Sequence, residues 1–154
     1  MISVNDALAE IFALTPAPQI EYVPLAQAAG RTLAEPVKAR LTQPPFDASS
    51  MDGYAIKRIE ADLHAQFKVV GEAAAGHAYT GRLGAGQALR IFTGAPVPEG
   101  ADLVVIQENV ERRGNLITLL EEQTDKSNIR PAGQDFAKGD EMSAPRILGP
   151  NDIA

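Results

Sequence analysis

Apolar residues at Val4, Ala7, Leu8, Ile11 and Phe12 recur three and four positions apart, which lays them along one face of a helix. Ser3 stands where a cap belongs, Asp6 follows at the capping-box spacing, and Pro16 and Pro18 end the segment. Pro24 followed by Leu25, Ala28, Ala29, Thr32 and Leu33 predicts a second short helix, weakened by Gly30 and closed by Pro36. A helical turn or two is expected over residues 57–64. From Gln66 the period changes. Residues 67–71, 88–92, 103–108 and 116–120 are short runs rich in branched and aliphatic side chains, with Gly or Pro in every gap, and they predict strands. Runs at that spacing suggest a small β-barrel or compact β-domain of about a hundred residues, closed so that its sheet edges are protected. Arg112-Arg113 beside Gly114 reads as a solvated β-turn. Residues 143–154 carry too few apolar side chains for a core of their own and read as a linker, so the chain is expected to be a piece of something longer.

Composition narrows the chemistry. At 154 residues the chain can bury a substantial core, and with 5% aromatics and no Trp that core is mainly aliphatic. A net charge of -6, with 14 Lys and Arg spread thinly, argues against a broad nucleic-acid surface. The absence of cysteine excludes disulfides, thiolate metal sites and cysteine nucleophiles. His64 and His77 are too few and too far apart for a His-based zinc motif and read as surface or turn residues. No basic segment leads into an apolar run at the N-terminus, and no apolar stretch approaches about 18 residues, so the expectation is a soluble cytoplasmic protein without a membrane span.

Three stretches carry candidate chemistry. Pro44-Pro45-Phe46-Asp47-Ala48-Ser49-Ser50-Met51-Asp52-Gly53-Tyr54-Ala55 sets two carboxylates, two aromatics and adjacent hydroxyls in one run of turn residues, more than a connector needs. Phe46 and Tyr54 are read as packing anchors for this loop. In Arg90-Ile91-Phe92-Thr93-Gly94-Ala95-Pro96 the Thr93 hydroxyl and the amides after it can hold an anionic oxygen, with Gly94 letting the backbone approach a ligand; the run is equally a stiff turn between strands. In Asn128-Ile129-Arg130-Pro131-Ala132-Gly133-Gln134-Asp135-Phe136, Arg130 offers a planar fork for phosphate and Asp135 a carboxylate for a hard cation or a water, against the plainer alternative of an exposed Arg and an Asx turn.

Taken in order, Pro-Pro-Phe-Asp-x-Ser-x-Met-Asp-Gly-Tyr-Ala, Ile-Phe-Thr-Gly-Ala-Pro-x-Pro-x-Gly-Ala-Asp and Arg-Pro-x-Gly-x-Asp-Phe resemble the motifs of the molybdopterin molybdenumtransferases of the MoeA type, to which the C-terminal part of gephyrin belongs. Ala28-Ala29-Gly30-Arg31-Thr32-Leu33-Ala34 is similar to the segment before the first motif, so the likeness runs from about residue 25 to residue 140. It implies an α+β architecture: an extended helical segment over residues 1–43, a small, mainly β, barrel-like domain over 44–140 carrying the motif loops, and a linker over 141–154 returning to the elongated segment and leading to an absent α/β domain.

The resemblance also implies a function: insertion of molybdenum from molybdate into adenylylated molybdopterin, with Mg²⁺ as cofactor, by an elongated homodimer whose active-site cleft lies between this region and the α/β domain of the other subunit. Carried onto this chain, Asp52 matches the cleft acid, a candidate metal ligand. Thr93 matches the cleft threonine and Asp135 a further catalytic acid. Gly94 and Arg130 fall among the substrate-binding positions, whereas Asp47, Ser49 and Gly53 hold the loop. Gln134 stands where many relatives carry Glu. The isolated chain is expected to be inactive. Two other readings stay open: a non-catalytic binding or dimerisation module of the same family, and a metal-dependent phosphohydrolase using Asp47, Asp52 and Asp135.

Overall fold

The computed structural model describes residues 2–16 and 18–154. In chain order its elements are α1 (Val4–Ala13), β1 (Thr32–Leu33), β2 (Val37–Lys38), β3 (Ala48–Ser49), β4 (Gly53–Ile56), β5 (Gln66–Ala73), β6 (Gln87–Ile91), β7 (Leu103–Ile106), β8 (Val110–Arg113), β9 (Leu116–Leu119), β10 (Ile129–Arg130), β11 (Glu141–Met142), β12 (Arg146–Ile147) and α2 (Pro150–Ile153). They fall into two compact units, one spanning Lys38–Asp140 and the other made of the described residues up to Val37 together with Glu141–Ala154.

In the smaller unit α1 starts as its cap predicts, with Ser3 Oγ accepting the Asp6 N–H at 3.2 Å. Its apolar stripe is exposed in this chain, Val4 at 76% and Phe12 at 70%. The second predicted helix is only a 3-10 turn at Leu25–Gln27. Gly30 takes a left-handed φ of +77°, which ends the helical path, and its N–H donates to the Leu148 carbonyl at 2.8 Å. Thr32 and Leu33 are then captured as a strand, β1, opposite Ile147 and Arg146 of β12. A partner more than a hundred positions away overrides local periodicity here.

The larger unit is built on a six-stranded sheet of order β7-β4-β6-β5-β9-β8, antiparallel except for the parallel β5–β6 pair, and curled into a half-barrel. The four predicted runs become β5, β6, β7 and β9. Residues 107–108 leave the predicted strand for a 3-10 turn at Gln107–Asn109, and the helical turn expected over 57–64 shortens to a 3-10 turn at Arg58–Glu60. Arg112 and Arg113 lie on β8 rather than in a turn; they form the edge arm of a hairpin with β9, and the turn itself falls at Gly114, with φ +62°. Charged side chains on that edge discourage further strand pairing.

Alternation along the strands sorts the core into two layers. Tyr54, Ile56, Phe67, Ala88, Leu103, Val105, Ile117 and Leu119 pack on one side, and Ala55, Ala73, Leu83, Leu89, Ile91, Ala95 and Val104 on the other. Strand β4 is buried at every position because both layers cover it. Each fully buried Leu, Ile, Val or Phe contributes about 1.5–3 kcal/mol, whereas an ion pair as exposed as Arg82–Glu99 adds about 0–1 kcal/mol, so apolar burial holds this unit. Among the described residues no helix is long and apolar enough to cross a membrane.

Candidate functional site

The three motif stretches meet on the larger unit through backbone hydrogen bonds. β3 pairs with β10, Ala48 opposite Arg130 and Ser49 opposite Ile129. Ser49 also donates its N–H to the Ala95 carbonyl at 2.9 Å and accepts the Gly94 N–H at 2.8 Å, and Val97 N–H reaches the Asp47 carbonyl at 2.8 Å. The Asp47 side chain ties down the third stretch, its Oδ1 accepting the Ala132 N–H at 2.8 Å. Ser49 is 1% exposed and its Oγ donates to the Met51 carbonyl at 2.6 Å, a local turn that delivers the next residue, Asp52, to the surface.

Asp52 and Thr93, separated by 41 positions, form one hydrogen-bonded pair. Asp52 Oδ1 accepts from the Thr93 N–H at 2.8 Å and from the Thr93 hydroxyl at 2.9 Å. Bonding from the Thr93 amide, then from its hydroxyl, holds the Asp52 carboxyl below the usual carboxylate range; the nearby Arg90 charge acts in the same direction, against a partial opposing effect of desolvation. Asp52 is therefore a pre-ionised carboxylate with Oδ2 open: among the described residues nothing donates to that oxygen. The backbone beneath is fixed by Gly53, where an ideal Cβ would lie 1.9 Å from the Val105 carbonyl oxygen, so only glycine lets β4 approach β7 this closely.

The amides expected to hold an anionic oxygen are already committed. Thr93 N–H goes to Asp52, Gly94 N–H to Ser49 and Ala95 N–H to the Phe92 carbonyl at 3.0 Å. Gly94 contributes a left-handed φ of +81° and open space, since a Cβ added there would meet only the Ala75 Cβ, at 3.8 Å. Arg130 and Asp135 pair with each other, Nη2 donating to both carboxylate oxygens at 2.8 and 2.9 Å, while Arg130 Nε points to the Gln134 amide oxygen at 3.4 Å. Tyr54 is a buried anchor at 5% exposure, but Phe46 is 41% exposed and does not pack as one. His64 and His77 are exposed turn residues.

Sequence reasoning gave Arg90 no role. It lies on β6 directly opposite Tyr54 of β4, with its guanidinium carbon 5.2 Å from the Tyr54 ring centre and 4.5 Å from that of Phe92. An arginine followed two positions later by an aromatic on a strand was the available signal, since both then share a face.

No group of three or more His, Cys, Asp or Glu side chains able to hold a metal occurs among the described residues. The open Asp52 oxygen fits a Mg²⁺ that keeps most of its waters and takes one protein carboxylate, and does not by itself make a protein cage.

Residues 2–154 match the family described as the MoeA N-terminal region, domains I and II. A molybdopterin molybdenumtransferase of Haemophilus influenzae is 36% identical over 142 residues, covering 91% of this chain and 35% of that protein; one of a Nostoc species is 40% identical over 129 residues, covering 78% and 30%. The solved structure of a molybdopterin biosynthesis MoeA protein from Pyrococcus horikoshii superposes with a TM-score of 0.76 at 34% identity, over 86% of this chain and 37% of that one. The chain thus spans about a third of the length of the relatives it matches.

Proposed function

Because the chain belongs to the family of the MoeA N-terminal region, we propose that it supplies one wall of the active site of a molybdenum-inserting transferase, acting on molybdate and adenylylated molybdopterin. The observation that carries this reading is the Asp52–Thr93 pair, an ionised carboxylate held at a surface where three separated motifs converge. With Oδ1 held by Thr93, Oδ2 is left to meet a water or a hydrated cation.

Molybdate and a nucleotide phosphate are both anions, and a bare carboxylate repels them, so Asp52 acts on water or a hydrated cation rather than on the anions directly. Mg²⁺ bound there would offset the charge of the phosphate and molybdate oxygens. Asp52 Oδ2 accepts a hydrogen bond from a water and aims that water at the adenylylated phosphate, while Oδ1, gripped by Thr93, keeps the carboxylate plane fixed. The Thr93 hydroxyl has one proton, donated to Asp52; rotation about its Cβ–Oγ1 bond re-aims that O–H at a phosphate or molybdate oxygen when one arrives, the Thr93 amide keeping its bond to Asp52. The Arg130–Asp135 pair is exposed at 46% and 45% and internally neutral, which suits it to orienting groups at the rim.

The site is open on the side of Asp52 Oδ2, and the second wall is assigned to the α/β domain of a partner subunit in a homodimer. The test is molybdate-dependent cofactor formation by this 154-residue chain and by the full-length protein, each with and without Asp52→Ala. Activity is expected in the full-length protein alone and is expected to fall at least about tenfold with Asp52→Ala. Turnover by the short chain would refute the two-wall reading, and wild-type turnover in Asp52→Ala would refute the role of Asp52.

A further inference from the structure

Arg90 is the best-anchored cation near the Asp52–Thr93 pair. Its Nη2 donates to the Gln107 amide oxygen at 2.6 Å, its Nη1 to the Gly53 carbonyl at 3.2 Å, and its guanidinium lies against the rings of Tyr54 and Phe92. Gln107 in turn donates its backbone N–H to the Asp52 carbonyl at 3.0 Å. The peptides on either side of Gly53 are therefore both gripped from one side chain: directly at the Gly53 oxygen, and at the Asp52 oxygen through the residue that Arg90 itself holds. Strand register brings these groups together. Tyr54 is opposite both Arg90 and Val105, and Gly53 is opposite both Ile91 and Ile106, so Arg90 and Gln107 flank the start of β4 from its two neighbours.

We infer that Arg90 is a positioning residue, a fork that fixes the Asp52-Gly53 turn through Gly53 and Gln107 and thereby keeps the Asp52 carboxylate on Thr93. A lysine in its place would keep the charge and the stem but lose the planar pair of donors, so it is the fork rather than the charge that does this. Two aromatic contacts, with the rings of Tyr54 and Phe92, hold the guanidinium in its plane. Arg90's importance for turnover rests on the proposed role of Asp52, whereas its grip on the turn does not.

The test is amide hydrogen exchange, read by NMR on this chain, for wild type, Arg90→Gln and Arg90→Lys. The Thr93 amide is expected to exchange about tenfold faster in both variants, the size of one lost net hydrogen bond, while amides of β9, such as Ile117, keep their wild-type rates. Wild-type protection of Thr93 in Arg90→Gln overturns the positioning role, and so does uniform loosening that includes β9, which would make Arg90 a packing residue only. Wild-type protection in Arg90→Lys overturns the fork. If the Arg90 variants do not fold, Gln107→Ala, at an exposed position, removes one arm of the grip and is read in the same way. In the full-length protein Arg90→Lys is expected to lower kcat while leaving KM for molybdate within about twofold. Loss of Thr93 protection with unchanged kcat would leave the grip standing and sink the role of Asp52 in turnover.

Discussion

Replacing Gly53 with alanine puts a methyl carbon into the backbone of a neighbouring strand. An ideal Cβ there lies 1.9 Å from the Val105 carbonyl oxygen, 2.8 Å from the Val105 carbonyl carbon and 3.1 Å from the Ile106 Cα, all main-chain atoms of β7. Ordinary contact begins at 3.4 Å, so β4 and β7 must part by about 1.5 Å where both are buried. Overpacking of a tight core costs about 1–3 kcal/mol, and a buried ladder hydrogen bond stretched beyond use adds about 1–3 kcal/mol. Gly53→Ala is therefore expected to destabilise the larger unit by about 2–6 kcal/mol. With a urea slope of about 2 kcal/mol per molar, the unfolding midpoint should fall by about 1–3 M. Tyrosine fluorescence reports it, because Tyr54 is buried while Tyr22 is 98% exposed. Gly84→Ala is the control: its Cβ meets only the flexible end of Gln87, at 3.3 Å, and should cost less than about 1 kcal/mol. If Gly53→Ala matched Gly84→Ala, the close approach of β4 to β7 would not be what glycine is there for.

Three further outcomes follow from the site. Asp52 should titrate below its ordinary value of 3.8 in a carboxylate NMR titration. Being depressed in the folded state, it stabilises the fold above that value and loses the contribution as pH falls through the folded midpoint. Thr93→Val should raise the midpoint without restoring it fully, because the Thr93 amide, the larger cause, remains; an unmoved midpoint would refute the hydroxyl's part. Asp47→Ala removes the acceptor of the Ala132 N–H and should cost about 1–2 kcal/mol. Exchange at Ala132 should quicken while Val97, bonded to the Asp47 backbone carbonyl, stays protected, and equal rates at Ala132 would contradict the tie between the two stretches.

How much of this was legible depended on how local each interaction is. The α1 cap and the β5, β6, β7 and β9 runs were readable because their determinants lie within a few residues. Strand β4 was not, since Gly53-Tyr54-Ala55-Ile56 follows turn residues and, buried on both faces, shows no polar alternation. The edge strand β8 carries charges at three of its four positions, which read as a turn. Thr32 and Leu33 looked helical because the strand that claims them comes from the far end of the chain. At the site, motif likeness picked out Asp52 and Thr93, but not that they bond each other, nor that Arg130 faces Asp135. Arg90 escaped notice because its partners lie on two other segments, and only strand register brings them within reach.

The measurement that bears most directly on the proposed function is a double-mutant cycle in the full-length protein, with Asp52→Ala, Thr93→Ala and the double variant compared for the rate of molybdate-dependent cofactor formation. If Asp52 and Thr93 act as one pair, each single variant loses at least about tenfold, and the double variant loses little more than the worse single. Wild-type rates in both single variants would contradict the account.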